Sequence, residues 1–113
     1  MSEEKPRVIQ EYVPGKQVTL CHLIAHPETK LSAKLGFEGD KAIGVMTITP
    51  SEAAIIAADR TIKAAPVDIV FVDRFTGSLV VTGPVSALEM ALNEANNFLA
   101  AVLGFQKAPL TRS

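Results

Sequence analysis

Residues 42–83 read AIGVMTITPSEAAIIAADRTIKAAPVDIVFVDRFTGSLVVTG, and this stretch decides the fold. Ala42 to Thr49 is apolar and β-branched, the composition of a buried strand. Thr49 is expected to cap a helix, its hydroxyl accepting from the Glu52 N–H while Glu52 reaches back in a capping box. Pro50 falls at the first helical position, where its missing N–H is not needed. The helix runs on through SEAAIIAADRTIKAA to Pro66, which disfavours helical backbone in the residue before it. Val67 to Val72 is a second strand, and Leu79 to Thr82 begins a third. Asp73-Arg74-Phe75-Thr76-Gly77-Ser78 is the turn between them.

Working outward, Arg7 to Val13 has strand composition with poor alternation. Pro14-Gly15 is a turn signal. Gln17 to Ala25 is a nearly continuous apolar strand. Glu28 to Leu35 reads as a short helix, with Gly36 placed to end it. Glu38-Gly39-Asp40 reads as a loop. Beyond the third strand, Pro84 opens the longest helix and Gly104 lies just past its end. Val85, Leu88, Leu92, Ala95, Leu99 and Val102 recur at spacings of three and four, one buried stripe, with Glu89, Asn93, Asn96 and Asn97 off it. Phe105 to Ser113 carries Pro109 and reads as an extended tail. Two main helices and about four strands on one sheet make an α+β sandwich of ferredoxin-like character. A sheet covered by helices on one face leaves its other face in need of a cover, and oligomerisation commonly provides it.

At 113 residues the chain makes a single domain, 1–113, with 1–13 as an N-terminal extension. Hydrophobic residues are 48% and charged residues 20% of the sequence, and the net charge is −1, which is no electrostatic footprint for nucleic acid or an anionic membrane. No apolar run approaches the ~18 residues of a membrane span, and MSEEKPR lacks a signal-peptide pattern. The chain reads as cytoplasmic.

No catalytic constellation emerges. Cys21 and His22 are adjacent on a strand and point to opposite faces, which argues against a nucleophile–base pair and makes Cys21 a core residue. His22 and His26, with Glu28 near, supply too few ligands for a metal site and read as surface or interface residues. Asp68 and Asp73 read as solvated turn carboxylates. Phe75 at the tip of a hairpin stands out: it either folds back on the domain or meets another subunit. Asp59 and Lys63 lie four apart, an intrahelical pair or an edge contact.

Three segments, Val8 to Pro27, Ala42 to Ala65 and Phe71 to Gly83, resemble the bacterial microcompartment shell proteins, in the circularly permuted, hexamer-forming branch that includes EutS and PduU. The likeness runs from Arg7 to Ser113. It implies the α+β BMC shell fold with relocated termini, Gln17 to Leu35 corresponding to the C-terminal part of unpermuted members. It implies a homohexamer that tiles into a polyhedral shell around an ethanolamine-, propanediol- or amino-alcohol-degrading pathway, with other shell proteins at its edges and encapsulated enzymes as further partners. Arg7, Val8, Ile9, Gln10, Glu11 and Tyr12 of six chains would form a parallel β-barrel on the axis. Arg74, Phe75, Thr76, Gly77 and Ser78 match the pore loop, and Lys63, with Asp59, the hexamer edge. Pro84 stands where relatives often have a capping Asp. The resemblance implies no cofactor, no metal and no catalytic activity, in the bacterial cytoplasm. Two other readings remain: a ferredoxin-like oligomeric domain that binds a small regulatory molecule, and a small enzyme with its site between subunits.

Overall fold

The computed structural model describes residues 15–37 and 41–113, so Arg7 to Tyr12 and the Glu38-Gly39-Asp40 loop lie outside the described residues. The described chain runs β1 (Gln17–Ile24), α1 (Thr29–Leu35), β2 (Ala42–Thr49), α2 (Ala53–Ala64), β3 (Asp68–Asp73), β4 (Ser78–Gly83), α3 (Val85–Leu103) and β5 (Thr111–Arg112). The five strands form one mixed sheet in the order β3-β4-β2-β1-β5. All neighbours are antiparallel except β5, which runs parallel to β1.

The register sorts side chains to two faces. On one face Cys21 lies opposite Met46 and Leu23 opposite Gly44, while Gly44 pairs with Val81 and Met46 with Leu79. These residues pack against Ala54, Ala57 and Ala58 of α2 and Leu88, Ala91, Leu92, Ala95 and Leu99 of α3. Small residues let the layers close. A Cβ on Gly44 would stand 3.0 Å from Val81 Cγ2 and 3.1 Å from Leu92 Cδ1. The other face carries Ile24, Ile43 and Thr82 in one row and His22, Val45, Val80 and Phe71 in the next. Ile43 and Val80 are buried there, outside the main core cluster, whereas Phe71 and Leu20 are exposed. That second face is only partly covered, as the composition of the sheet led us to expect.

The helix ends follow their glycines and prolines. Gly36 at φ +90° and Gly104 at φ +74° terminate α1 and α3, each returning its N–H to the last turn. Ala65 is extended ahead of Pro66, and α2 stops there. Three expectations fail. Thr49 does not cap α2, because it stays in the β1–β2 ladder opposite Gln17. The chain instead turns through Pro50, Ser51 and Glu52, whose carbonyls accept from the N–H groups of Ala53, Ala54 and Ile55, and the N-cap position, Glu52, makes no side-chain cap bond. Val102 is exposed, because Phe105 folds under the end of α3 and is buried in its place. Asn96 is buried rather than exposed. Its Nδ2 donates to the Ala108 carbonyl at 2.6 Å and ties the tail to the helix, while its Oδ1 is buried without a partner.

The tail is extended, and part of it pairs. Gln106 exchanges backbone bonds with Lys16 and Val18, and Ser113 with Leu23 and Ala25, so β1 is lined on its outer side. The opposite edge, β3, has no strand beyond it among the described residues. In a denaturant titration at fixed protein concentration, Gly44→Ala is expected to lower stability by about 1–3 kcal/mol through overpacking. Adding Leu92→Val should recover part of that loss; no recovery would place the strain elsewhere.

Candidate functional site

Of the residues singled out from sequence, Arg74 to Ser78 lie at the β3 side of the sheet, whereas Asp59 and Lys63 lie on α2 and Cys21 and His22 on β1. The β3–β4 hairpin turns at Arg74 to Gly77. Gly77 sits at φ +79°, a left-handed conformation that glycine adopts without penalty. A Cβ there would lie 2.2 Å from the Ile48 carbonyl oxygen, so the position admits glycine only. The Gly77 N–H donates to the Asp73 carbonyl at 2.8 Å, and the Gly77 carbonyl accepts from the Ile48 N–H at 2.9 Å. The tip is thereby fastened to the end of β2.

Asp73 organises the turn from within. Its Oδ1 accepts from the Phe75 N–H at 2.9 Å, an Asx turn. That bond holds the Asp73 carboxyl below its usual value, partly opposed by desolvation and aided by Thr76. Thr76 Oγ1 donates to Ser78 Oγ at 3.0 Å. Phe75 does not fold back on the domain: it is 79% exposed, the most exposed of the large apolar side chains among the described residues. The Arg74 guanidinium lies over its ring, 4.9 Å from the centroid. Arg74, Phe75 and Thr76 thus form an exposed tip, with Gly77 buried and Ser78 half-buried at its base.

Apolar surface continues from the tip. Ile69, Phe71 and Val72 of the edge strand are exposed, as is Ile55 at the start of α2. Ile55 and Val72 join Asp73, Arg74 and Phe75 around a cleft of about 280 Å³. The sequence reading missed this cleft. Adjacent Ile55 and Ile56, both exposed on a helix whose buried face is made of alanines and Thr61, were the available signal.

A second surface lies along α2 and α3. Lys63 Nζ is 2.8 Å from Asp59 Oδ2, so the intrahelical pair forms, with both side chains about half exposed. Nearby, Arg60 bridges to Glu94 at 2.6 Å and lies over the Phe98 ring at 4.3 Å. Arg60, Lys63, Met90, Asn93, Glu94 and Asn97 border an open cleft of about 470 Å³. The hairpin and this helix surface are separate; the structure does not bring them together.

The remaining candidates are structural. Cys21 is buried, and burial pushes its thiol up to about 11. His22, on the opposite face, pairs through Nδ1 with Thr111 Oγ1 at 2.6 Å and through Nε2 with Ser113 Oγ at 2.8 Å, latching β5 to the sheet. His26 is exposed and Glu28 is the residue before α1. Asp68 pairs loosely with Lys41 at 3.8 Å, at the other end of β3 from Asp73. Among the described residues, no three His, Cys, Asp or Glu side chains come together as metal ligands, and no helix is long and apolar enough to cross a membrane.

Known proteins resemble this chain in sequence and fold. Residues 42–108 match the family model described as the BMC domain. The chain is 51% identical over 110 residues to the bacterial microcompartment shell protein EutS of Escherichia coli (strain K12), covering 97% of this chain and 99% of that one. It is 54% identical over 108 residues to the bacterial microcompartment shell protein PduU of Salmonella typhimurium (strain LT2), covering 95% and 93%. A solved structure described as a CutR flat hexamer superposes with a TM-score of 0.86 at 48% identity, covering 96% of this chain and 100% of that one.

The hairpin generates a pH prediction. A carboxyl held below its ordinary value in the folded state stabilises the fold above the unfolded value, and that stability is lost as pH falls through the folded value. Asp73→Asn keeps an acceptor for the Phe75 N–H and removes the charge. It should therefore melt below the parent protein at neutral pH, and the gap should close as pH drops below about 4. A gap that persists unchanged at acid pH would contradict the role of the charge.

Proposed function

Because the chain belongs to the BMC-domain family of bacterial microcompartment shell proteins, we propose that it is a wall component, a structural subunit that closes into hexamers and tiles them into a shell. The observation that carries this is the β3 edge. Ile69, Phe71 and Val72 are exposed on an edge strand with no neighbour on its outer side among the described residues, and they run into the exposed Phe75, an apolar border that a lone subunit leaves in water. Symmetry mates would cover it. Relatives of the same length are named as shell proteins, and one is described as a flat hexamer.

In this reading Arg74 to Ser78 face the six-fold axis, and Arg7 to Tyr12, outside the described residues, join as a parallel barrel over it. In the same reading the termini are relocated relative to other members, which is in keeping with β1 and α1 lying ahead of the matched residues 42–108. Lys63 and Asp59 lie at the hexamer edge, where neighbouring hexamers and other shell proteins meet, and encapsulated enzymes approach one face. The protein carries no catalytic step of its own. It works in the bacterial cytoplasm, in the shell of an ethanolamine-, propanediol- or amino-alcohol-degrading compartment.

Light scattering is expected to give the mass of six chains, with hexagonal particles or sheets in electron micrographs of concentrated samples. A stable monomer, dimer or trimer would overturn the proposal and favour the small-molecule-binding domain. Lys63→Ala should suppress sheets and leave the six-chain mass; loss of that mass would remove Lys63 from the edge. Deleting residues 1–13 should leave the melting temperature close to that of the full chain, and a large drop would contradict a separate axial barrel.

A further inference from the structure

We infer that the ring is closed by a knob and hole: Phe75 of one subunit sits in the cleft between Ile55 and Val72 of the next copy of this chain. The inference rests on the hexameric reading above and names the contact that makes it.

The knob is pre-organised. Phe75 stands 79% exposed on a tip fixed by the Asp73 carboxylate, the Gly77–Asp73 bond and the Ile48–Gly77 bond. Little backbone entropy remains to be lost when it docks. The hole has the right size and lining. Its volume is about 280 Å³, whereas an apolar cavity of about 150 Å³ already holds benzene. Ile55 and Val72 line it while remaining 51% and 39% exposed, so an inserted ring would remove apolar surface from water on both partners.

Phe75 cannot fill the hole of its own chain. It forms one wall of that cleft, and the Arg74 guanidinium lies over its ring. An incoming ring would therefore meet the resident Phe75 as well as the two aliphatic side chains, and offset or edge-to-face aromatic packing is favourable. Knob and hole are different surfaces, so the contact is heterologous and propagates from copy to copy until rotation closes it. They also share a residue. Copies joined this way must approach hairpin to hairpin, which sets the rotation axis beside the tips. Asp73 and Arg74 at the rim place both charges around an apolar centre.

The test uses two full-length chains made in the same cells, one with Phe75→Cys and the other with Ile55→Cys and a tag that separates the two by size. The native Cys21 is buried and its thiol stays protonated, so it does not compete. The six-chain fraction is treated with a short bis-maleimide. A cross-linked species that contains one chain of each kind is expected. Six-chain particles in which this mixed species does not form would overturn the knob and hole while leaving the ring intact. Failure to obtain six-chain particles even from the unmodified protein would overturn the ring, and the contact with it. Phe75→Ala provides the second measurement. It should raise the concentration at which the six-chain mass dissociates by tenfold or more, with the circular dichroism spectrum retained. An unchanged dissociation concentration would overturn the inference.

Discussion

The close approach of α3 to β2 is the constraint on which the rest of the molecule depends. Gly44 lies beneath Leu92, where a methyl group would stand 3.1 Å from Leu92 Cδ1 and force its neighbours to give way. Ala54, Ala57, Ala58, Ala91 and Ala95 bring both long helices down onto the sheet in the same way. Small side chains bury little area each, so the layer gains stability from the density of its packing. The large core residues, Leu23, Met46, Leu79, Leu88 and Leu99, fill what remains. With α2 held this low, its first turn comes beside the β3–β4 hairpin, and Ile55 can border the same cleft as Val72 and Phe75. The cleft beside the hairpin is a by-product of how the core closes.

Most of the fold was legible because its signals are local. Proline before a break, glycine after a helix and β-branched runs mark β2, β4, α3 and the end of α2 to within a residue or two, whereas α2 starts at Ala53, three residues after the expected Pro50. The failures come where a longer-range contact overrides a local rule. Thr49 has a capping sequence, but strand pairing with Gln17 holds it in the sheet. Asn96 was judged by polarity, yet it follows Leu92 by four and precedes Leu99 by three, the spacing of the buried stripe. Its amide is accepted in the core because the tail supplies the Ala108 carbonyl. The pairing of β5 with β1 rests on His22, Thr111 and Ser113, about ninety residues apart, and no short pattern announces it.

The hairpin was legible as chemistry and illegible as geometry. Asp-x-x-x-Gly-Ser predicts a tight turn, and the turn forms with the Asx bond and a left-handed glycine. Whether Phe75 faced inward or outward depended on the turn's attachment: the Ile48 N–H donates to the Gly77 carbonyl and fastens the hairpin to β2, with the Phe75 ring left exposed. A rigid, exposed aromatic on a fastened turn is poor design for a soluble monomer and good design for a contact that recurs by symmetry.

The two candidate surfaces differ in strength, and the difference suits a wall. The hairpin and β3 edge are apolar, and apolar burial contributes roughly 25 cal/mol for each Å² removed from water. The Lys63–Asp59 pair is an exposed i, i+4 contact worth only about 0.3–0.5 kcal/mol. If Lys63 meets another particle, as we propose, breaking the pair would cost little, and the contact so gained would be equally modest and weakened by salt. A ring built on the first kind of contact persists at low concentration. A lattice built on the second forms only when many edges act together, and it can release and re-form while the tiles stay whole. Strong closure within the hexamer and weak, repeated contacts between hexamers are the combination that lets a facet anneal its defects as it grows.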